Sequence, residues 1–161
     1  MPDKRITELD ALTAVDDSDV LAIVDDPGGT AVTKKITALN LVNFEGLTDY
    51  SGTSTVTGFS GSPSVDLDYV VIGKLVLVWF YITGTSDATT FTFTVPYSAA
   101  HASYNTMIFT DNSTPSVNPG KIDLQSASST VILYAGLNVA NDAWTNSNTK
   151  AAYGQFCYMK S

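Results

Sequence analysis

The chain is short of charge, holds one cysteine and one histidine, and has no long hydrophobic run. Each shortage removes a class of function. Charged residues make up only 15% of the 161. Basic residues number 8 against 16 acidic ones, a formal net charge of -8, which is the wrong sign for a phosphate-binding nucleic-acid face. No basic run is longer than Lys34-Lys35, so an anionic membrane surface is not an expected partner either. The lone Cys157 can make no internal disulfide and anchors no cysteine metal cluster. It sits in a strand-like apolar run and is read as a small buried hydrophobe. The longest apolar run, 75–82, is too short to span a bilayer. Met1-Pro2-Asp3-Lys4-Arg5 is followed by no apolar stretch. The expectation is therefore no signal peptide and folding in a cytoplasm.

What is present points to strands. Serine and threonine together supply about a quarter of the residues, far above average usage, and hydrophobic residues supply 44%. Threonine, β-branched and aromatic residues suit a pleated, half-buried surface. The acidic residues are unevenly spread. Asp3, Glu8, Asp10, Asp16, Asp17, Asp19, Asp25, Asp26 and Glu45 place more than half of them within residues 1–45.

Those first residues read as one unit. Ile6, Leu9 and Leu12 recur at spacing three, a helical turn or a docking stripe. Residues 20–24, including Val20, Leu21, Ile23 and Val24, form a β-prone run. Asp25-Asp26-Pro27-Gly28-Gly29-Thr30 closes it with a strong turn signal. Residues 31–36, with Lys34, Lys35 and Ile36, return as the second arm of a hairpin. Thr37 can then cap a short helix over 38–42, carrying Leu39 and Leu41. Such a segment buries little apolar area alone, so it needs a partner to pack on. From residue 46 the composition turns polar, and 46–161 reads as a second domain. Strands are expected at 65–71, 75–82, 91–95, 104–110, 121–124, 129–134 and 151–159. Gly73-Lys74 fits a type II′ hairpin turn between the first two. The overall expectation is a mainly β protein. A small amino-terminal hairpin-plus-short-helix segment precedes an antiparallel β-sandwich, jelly-roll-like. The run 75–82 is apolar on both faces, so one face is expected in the core and the other against a second subunit or sheet. Val76, Val78 and Phe80 are the candidate interface residues.

Residues that could carry chemistry are few. His101 lies in an expected loop with no Gly-x-Ser-x-Gly nucleophile elbow anywhere in the chain. Asp16-Asp17-Ser18-Asp19 fails the EF-hand pattern, because Ala22 and Gly28 stand where glycine and glutamate are required. Pro27-Gly28-Gly29 lacks the lysine of a phosphate loop. Asp66 and Asp68 share one strand face about 7 Å apart, a spacing near that of an inverting glycosidase pair, but a plain solvent-facing pair accounts for them. The aromatics are the better lead. Tyr97, Tyr104, Tyr134, Trp144 and Tyr153 lie at expected strand ends or loops, where flat rings could stack on sugars or pack on a subunit. Trp144, amid Asn141, Asp142 and Asn146, is the foremost candidate for glycan contact, with packing as its alternative. No catalytic residue, cofactor or metal site is expected.

The segment Arg5-Ile6-Thr7-Glu8-Leu9, Leu12-Thr13, Asp19-Val20-Leu21, Ile23-Val24-Asp25, Thr33-Lys34-Lys35-Ile36-Thr37 and Leu41 resembles an amino-terminal motif of tailed-bacteriophage virion proteins. The stretches 72–80, Phe93-Thr94-Val95-Pro96-Tyr97 and Gly154-Gln155-Phe156-Cys157-Tyr158 are similar to β domains that end such proteins. The resemblance covers almost the whole chain. It implies a homotrimer in the virion, attached to capsid or tail by residues 1–45 with the β domain projecting. No shaft repeat separates the two parts, which favours a compact head-decoration or short-fibre protein over a long tail fibre. Ile6, Leu9, Leu12, Val20, Leu21, Ile23, Val24, Lys34, Lys35, Ile36, Leu39 and Leu41 would then carry attachment to other virion proteins. A carbohydrate-binding receptor module, using Trp144, Tyr97, Tyr104 and Tyr134 against a host glycan, is the alternative. A glycan hydrolase using Asp66 and Asp68 is a third.

Overall fold

A computed structural model of the chain describes residues 20–25, 32–37, 46–138 and 142–161. The chain divides into two compact units, Met1–Phe44 and Glu45–Ser161. In the first, β1 (Val20–Asp25) and β2 (Val32–Thr37) pair antiparallel, with Leu21 opposite Ile36 and Ile23 opposite Lys34. The expected hairpin is thus formed. The expected helix over 38–42, and Ile6, Leu9, Leu12, Leu39 and Leu41, lie outside the described residues.

The second unit is antiparallel β throughout, and no helix occurs among the described residues. Its elements are β3 (Thr48–Asp49), β4 (Val56–Thr57), β5 (Ser64–Ile72), β6 (Leu75–Thr85), β7 (Phe91–Thr94) and β8 (Ser103–Asp111). After them come β9 (Thr114–Pro115), β10 (Gly120–Leu124), β11 (Thr130–Tyr134) and β12 (Thr149–Met159). They form one hydrogen-bonded path, β3-β5-β6-β12-β8-β10-β11-β7-β4, with β9 paired to β8 alone. The two ends of that path are neighbours in sequence, joined by residues 50–55, so the sheet curls round on itself. Strand β8 makes the corner. It pairs with β12 through Ile108 to Thr110 and with β10 through Ser103 to Met107.

Strand alternation explains what the curl encloses. On β6, Val76, Val78, Phe80 and Ile82 are all buried. Phe91 and Phe93 of β7, Ile122 and Leu124 of β10, and Val131 and Leu133 of β11 face them from the other half of the sheet. The Phe80 and Phe93 rings meet at 5.0 Å between centroids, and Phe156 of β12 lies against both. Each such side chain contributes about 1.5–3 kcal/mol of burial free energy. The β5–β6 turn forms as expected: Ile72 pairs with Leu75, and Gly73 takes the positive φ (62°) that the first turn position of type II′ requires.

One charge is fully enclosed. Lys150 of β12 has no exposed surface, and its ammonium donates to the backbone carbonyls of Ala88 (2.7 Å), Gly58 and Thr90 (3.3 Å each). The rings of Phe59, Phe91 and Trp144 stand 5.5–5.8 Å away. Burial lowers its pKa below the usual lysine value, while Asp111 and Asp87 pull the other way. Gly58 has to be glycine here: its φ is +102°, and a Cβ would sit 2.2 Å from the Thr90 carbonyl oxygen.

Candidate functional site

Antiparallel register sets what the outside of β5, β6, β12 and β8 presents. Directly opposed residues share a face, so Asp66, Tyr81, Tyr153 and Ile108 form one row across the four strands. The next row holds Asp68, Trp79 and Gln155, then Val70, Leu77 and Cys157, and last Ile72, Leu75 and Met159. Tyr81, Tyr153, Ile108, Ile72 and Met159 each expose 40–57% of their surface, and Trp79 exposes 38%. Apolar and aromatic side chains therefore line the outer face of a sheet whose inner face is already filled.

The first two rows enclose a shallow groove of about 320 Å³, with Asp66, Asp68, Trp79, Tyr81 and Tyr153 around it and the backbone of Phe80 and Gly154 along it. The Tyr81 and Tyr153 rings lie 6.0 Å apart at an interplanar angle of 59°. The indole Nε1 of Trp79 donates to Oε1 of Gln155 at 3.0 Å, which fixes both side chains. Asp66 is exposed and Asp68 half-buried. Among the described residues neither carboxylate has a hydrogen-bond or ion-pair partner. The lining offers flat apolar faces and two acceptor carboxylates. Among the described residues no group of three or more His, Cys, Asp or Glu side chains could hold a metal ion.

The residues expected from sequence fall elsewhere. Trp144 is 2% exposed, packs against Phe91 and Phe109 at 5.3 and 5.1 Å, and donates its Nε1 to the Leu133 carbonyl at 2.7 Å. It closes one end of the core and has no free face for a sugar. Tyr97 is half-buried, edge-on to Tyr69, with the Lys160 ammonium 4.6 Å from its ring centre. Tyr134 lies under the Lys121 ammonium at 4.2 Å. Burial and the nearby Asp123 charge raise its hydroxyl pKa. Tyr104 is 61% exposed, with its hydroxyl accepting from Gln125. None of the four borders the groove.

The interface residues are corrected in the same way. Val76, Val78 and Phe80 are 0–4% exposed and belong to the core. Of the two apolar faces of β6, the one carrying Leu75, Leu77, Trp79 and Tyr81 points out. Cys157, expected inside, is exposed, because on β12 it pairs directly with Leu77 of the outward face of β6. The groove-lining Trp79 and Tyr81 were missed, although the alternation that places them was available. A run apolar at every position does not reveal which half faces in. His101 is exposed in the loop before β8.

No helix among the described residues is long and apolar enough to cross a membrane. No protein-family model and no curated protein matches the chain.

Proposed function

We propose that the chain is a non-enzymatic structural protein of a tailed-bacteriophage virion. It assembles as a homotrimer, is held on capsid or tail by residues 1–45, and presents the β domain outward as a decoration or short-fibre tip. The two halves of the curled sheet then serve as the layers of a sandwich-like tip. The observation that carries the self-association is the apolar end of the outer sheet face, with Ile72, Leu75 and Met159 in one row and Leu77 in the next. Exposed apolar patches of this kind mark contact surfaces, and strands in this domain already have a complete core without them. The amino-terminal motif supports the virion assignment, and the hairpin of β1 and β2 supplies a compact element for docking.

Light scattering on the purified chain should give three times 17.1 kDa. Leu77→Asp should shift the mass to that of the single chain while the β-sheet circular dichroism stays unchanged. A monomeric wild type at high concentration rejects the trimer. A chain lacking residues 1–45 that still joins particles rejects the anchor. Recognition of a saccharide is the second function considered, and it is favoured by the aromatic and acidic end of the same face.

A further inference from the structure

We propose that the groove bounded by Asp66, Asp68, Trp79, Tyr81 and Tyr153 is a saccharide subsite for neutral or amino sugars. It occupies the two rows next to the apolar rows assigned to self-association, and it does not depend on that assignment.

The rings come first. Trp79, Tyr81 and Tyr153 leave 38%, 45% and 40% of their surface in water although they sit in the middle of two long strands. Aromatic surface of this size is normally covered. The C–H faces of a sugar ring cover such surface without any need for an enclosed cavity, and the groove is shallow and open, at about 320 Å³ the small end of ligand sites.

The polar groups then narrow the chemistry. Asp66 and Asp68 project from one face of β5, two residues apart and about 7 Å between Cα atoms. They flank the rings with acceptors that no described residue uses. Carboxylates accept hydrogen bonds from sugar hydroxyls, and charge-assisted bonds are the stronger kind. Gln155, outside the groove lining, accepts from the Trp79 indole and so holds the ring on which a sugar would stack. The same carboxylates, in a chain of net charge -8, repel uronic, sialic and sulfated sugars and welcome an amino sugar.

A lysine or arginine side chain of another protein is the competing occupant, since cations also favour rings and carboxylates. It fits less well. Exposed carboxylates give a surface ion pair only about 0–1 kcal/mol, and the open trough does not desolvate a cation. Within the β domain a second copy offers Lys74, exposed in the β5–β6 turn, since Lys150 is buried and Lys121 and Lys160 lie over Tyr134 and Tyr97.

The test uses the full chain and a panel of neutral, acetylated and amino hexose oligosaccharides, with polygalacturonate and oligolysine beside them. Trp79 is the exposed tryptophan and Trp144 the buried one, so binding should perturb the solvent-exposed part of the fluorescence. Expected is saturable binding of a neutral oligosaccharide that is unchanged between about 50 and 300 mM salt, or of an amino oligosaccharide that weakens over that range, with none of polygalacturonate. By calorimetry, Trp79→Ala should weaken it at least about tenfold and Asp68→Asn severalfold, with both variants folded. The subsite is overturned if no oligosaccharide saturates the protein, if binding survives Trp79→Ala, or if only polygalacturonate or salt-sensitive oligolysine binds. It is overturned equally if Trp79 in the free oligomer is shielded from acrylamide, since the groove would then be a subunit contact. None of those failures changes the mass measured by light scattering, so the trimer stands or falls separately.

Discussion

Strand β6 carries two apolar faces of nearly equal hydrophobicity, and they have opposite fates. Val76, Val78, Phe80 and Ile82 are sealed in the core, whereas Leu75, Leu77, Trp79 and Tyr81 line the outside. The two tryptophans show the same split. Trp144, amid polar loop neighbours, is buried with its indole N–H on a carbonyl; Trp79, in an unbroken apolar run, is open to solvent. Local hydrophobicity therefore does not decide which side faces in. The pairing of β6 with β5 and β12 decides it, because the partners' own inward residues, Leu67, Ala152 and Phe156, must be on the same side.

The sharpest break in this comparison is a pair of neighbours. Phe80→Ala should cost about 3–5 kcal/mol in denaturant unfolding, as a cavity among Phe93 and Phe156, and Tyr81→Ala should cost under about 1 kcal/mol. Equal losses would mean that the outer face is packed as the inner one is. Next in size is Lys150→Ala, which leaves the carbonyls of Gly58, Ala88 and Thr90 without their shared donor. Gly58 and Ala88 keep the Asp87 N–H and the Ser86 hydroxyl as donors, so the acceptor at risk is the Thr90 carbonyl. An orphaned acceptor costs about 1–3 kcal/mol, partly offset because a charge is no longer buried. A net loss of about 1–2 kcal/mol is expected in the same assay, and a stabilised variant would show that the buried ammonium is a net cost.

The smallest effect is a pH dependence. Burial raises the Tyr158 hydroxyl above the ordinary value of 10.0. The stability this confers is complete below pH 10. It is lost above, because the unfolded tyrosine ionises where the native one does not. Lys150 has the opposite sign: its lowered value means that the native amine sheds its proton first, so some stability returns as the pH nears 10.5. Tyr158→Phe should therefore flatten the alkaline loss by about 1 kcal/mol between pH 9 and 11. An unaltered slope would assign that loss to other groups.

Most of the strands were legible in the sequence. Period-two alternation located β5, β7, β8, β10, β11 and β12 within a few residues, and Gly73 announced its turn. The two-residue strands β3, β4 and β9 were not, since Thr48-Asp49, Val56-Thr57 and Thr114-Pro115 carry no periodicity and exist only as edges of neighbouring strands. The sites were less legible than the fold. Trp79 and Tyr81 join Asp66 and Asp68 only through the β5–β6 register, and Tyr153 joins them only through the long-range β6–β12 pairing. Trp144 misled for the converse reason: its Asn and Asp neighbours suggested a wet loop, while Phe91 and Phe109, distant in sequence, enclose it.

The shortness of β3 and β4 has a consequence for crowding. An open sheet edge is a template on which another chain can add a strand, and a threonine-rich, charge-poor sequence has few lysines with which to discourage that. Here the path of strands ends on pairs of residues only, and the six that follow β3 lead directly into β4. Ser54 and Thr55 tie that connection to Thr94. Along Leu67 to Tyr69 of β5 and Thr92 to Thr94 of β7 the backbone is therefore capped by β3, β4 and the residues between them. Copies of this domain held at high local density find no template for strand addition along those stretches, and side chains on a chosen face are left as the means of contact.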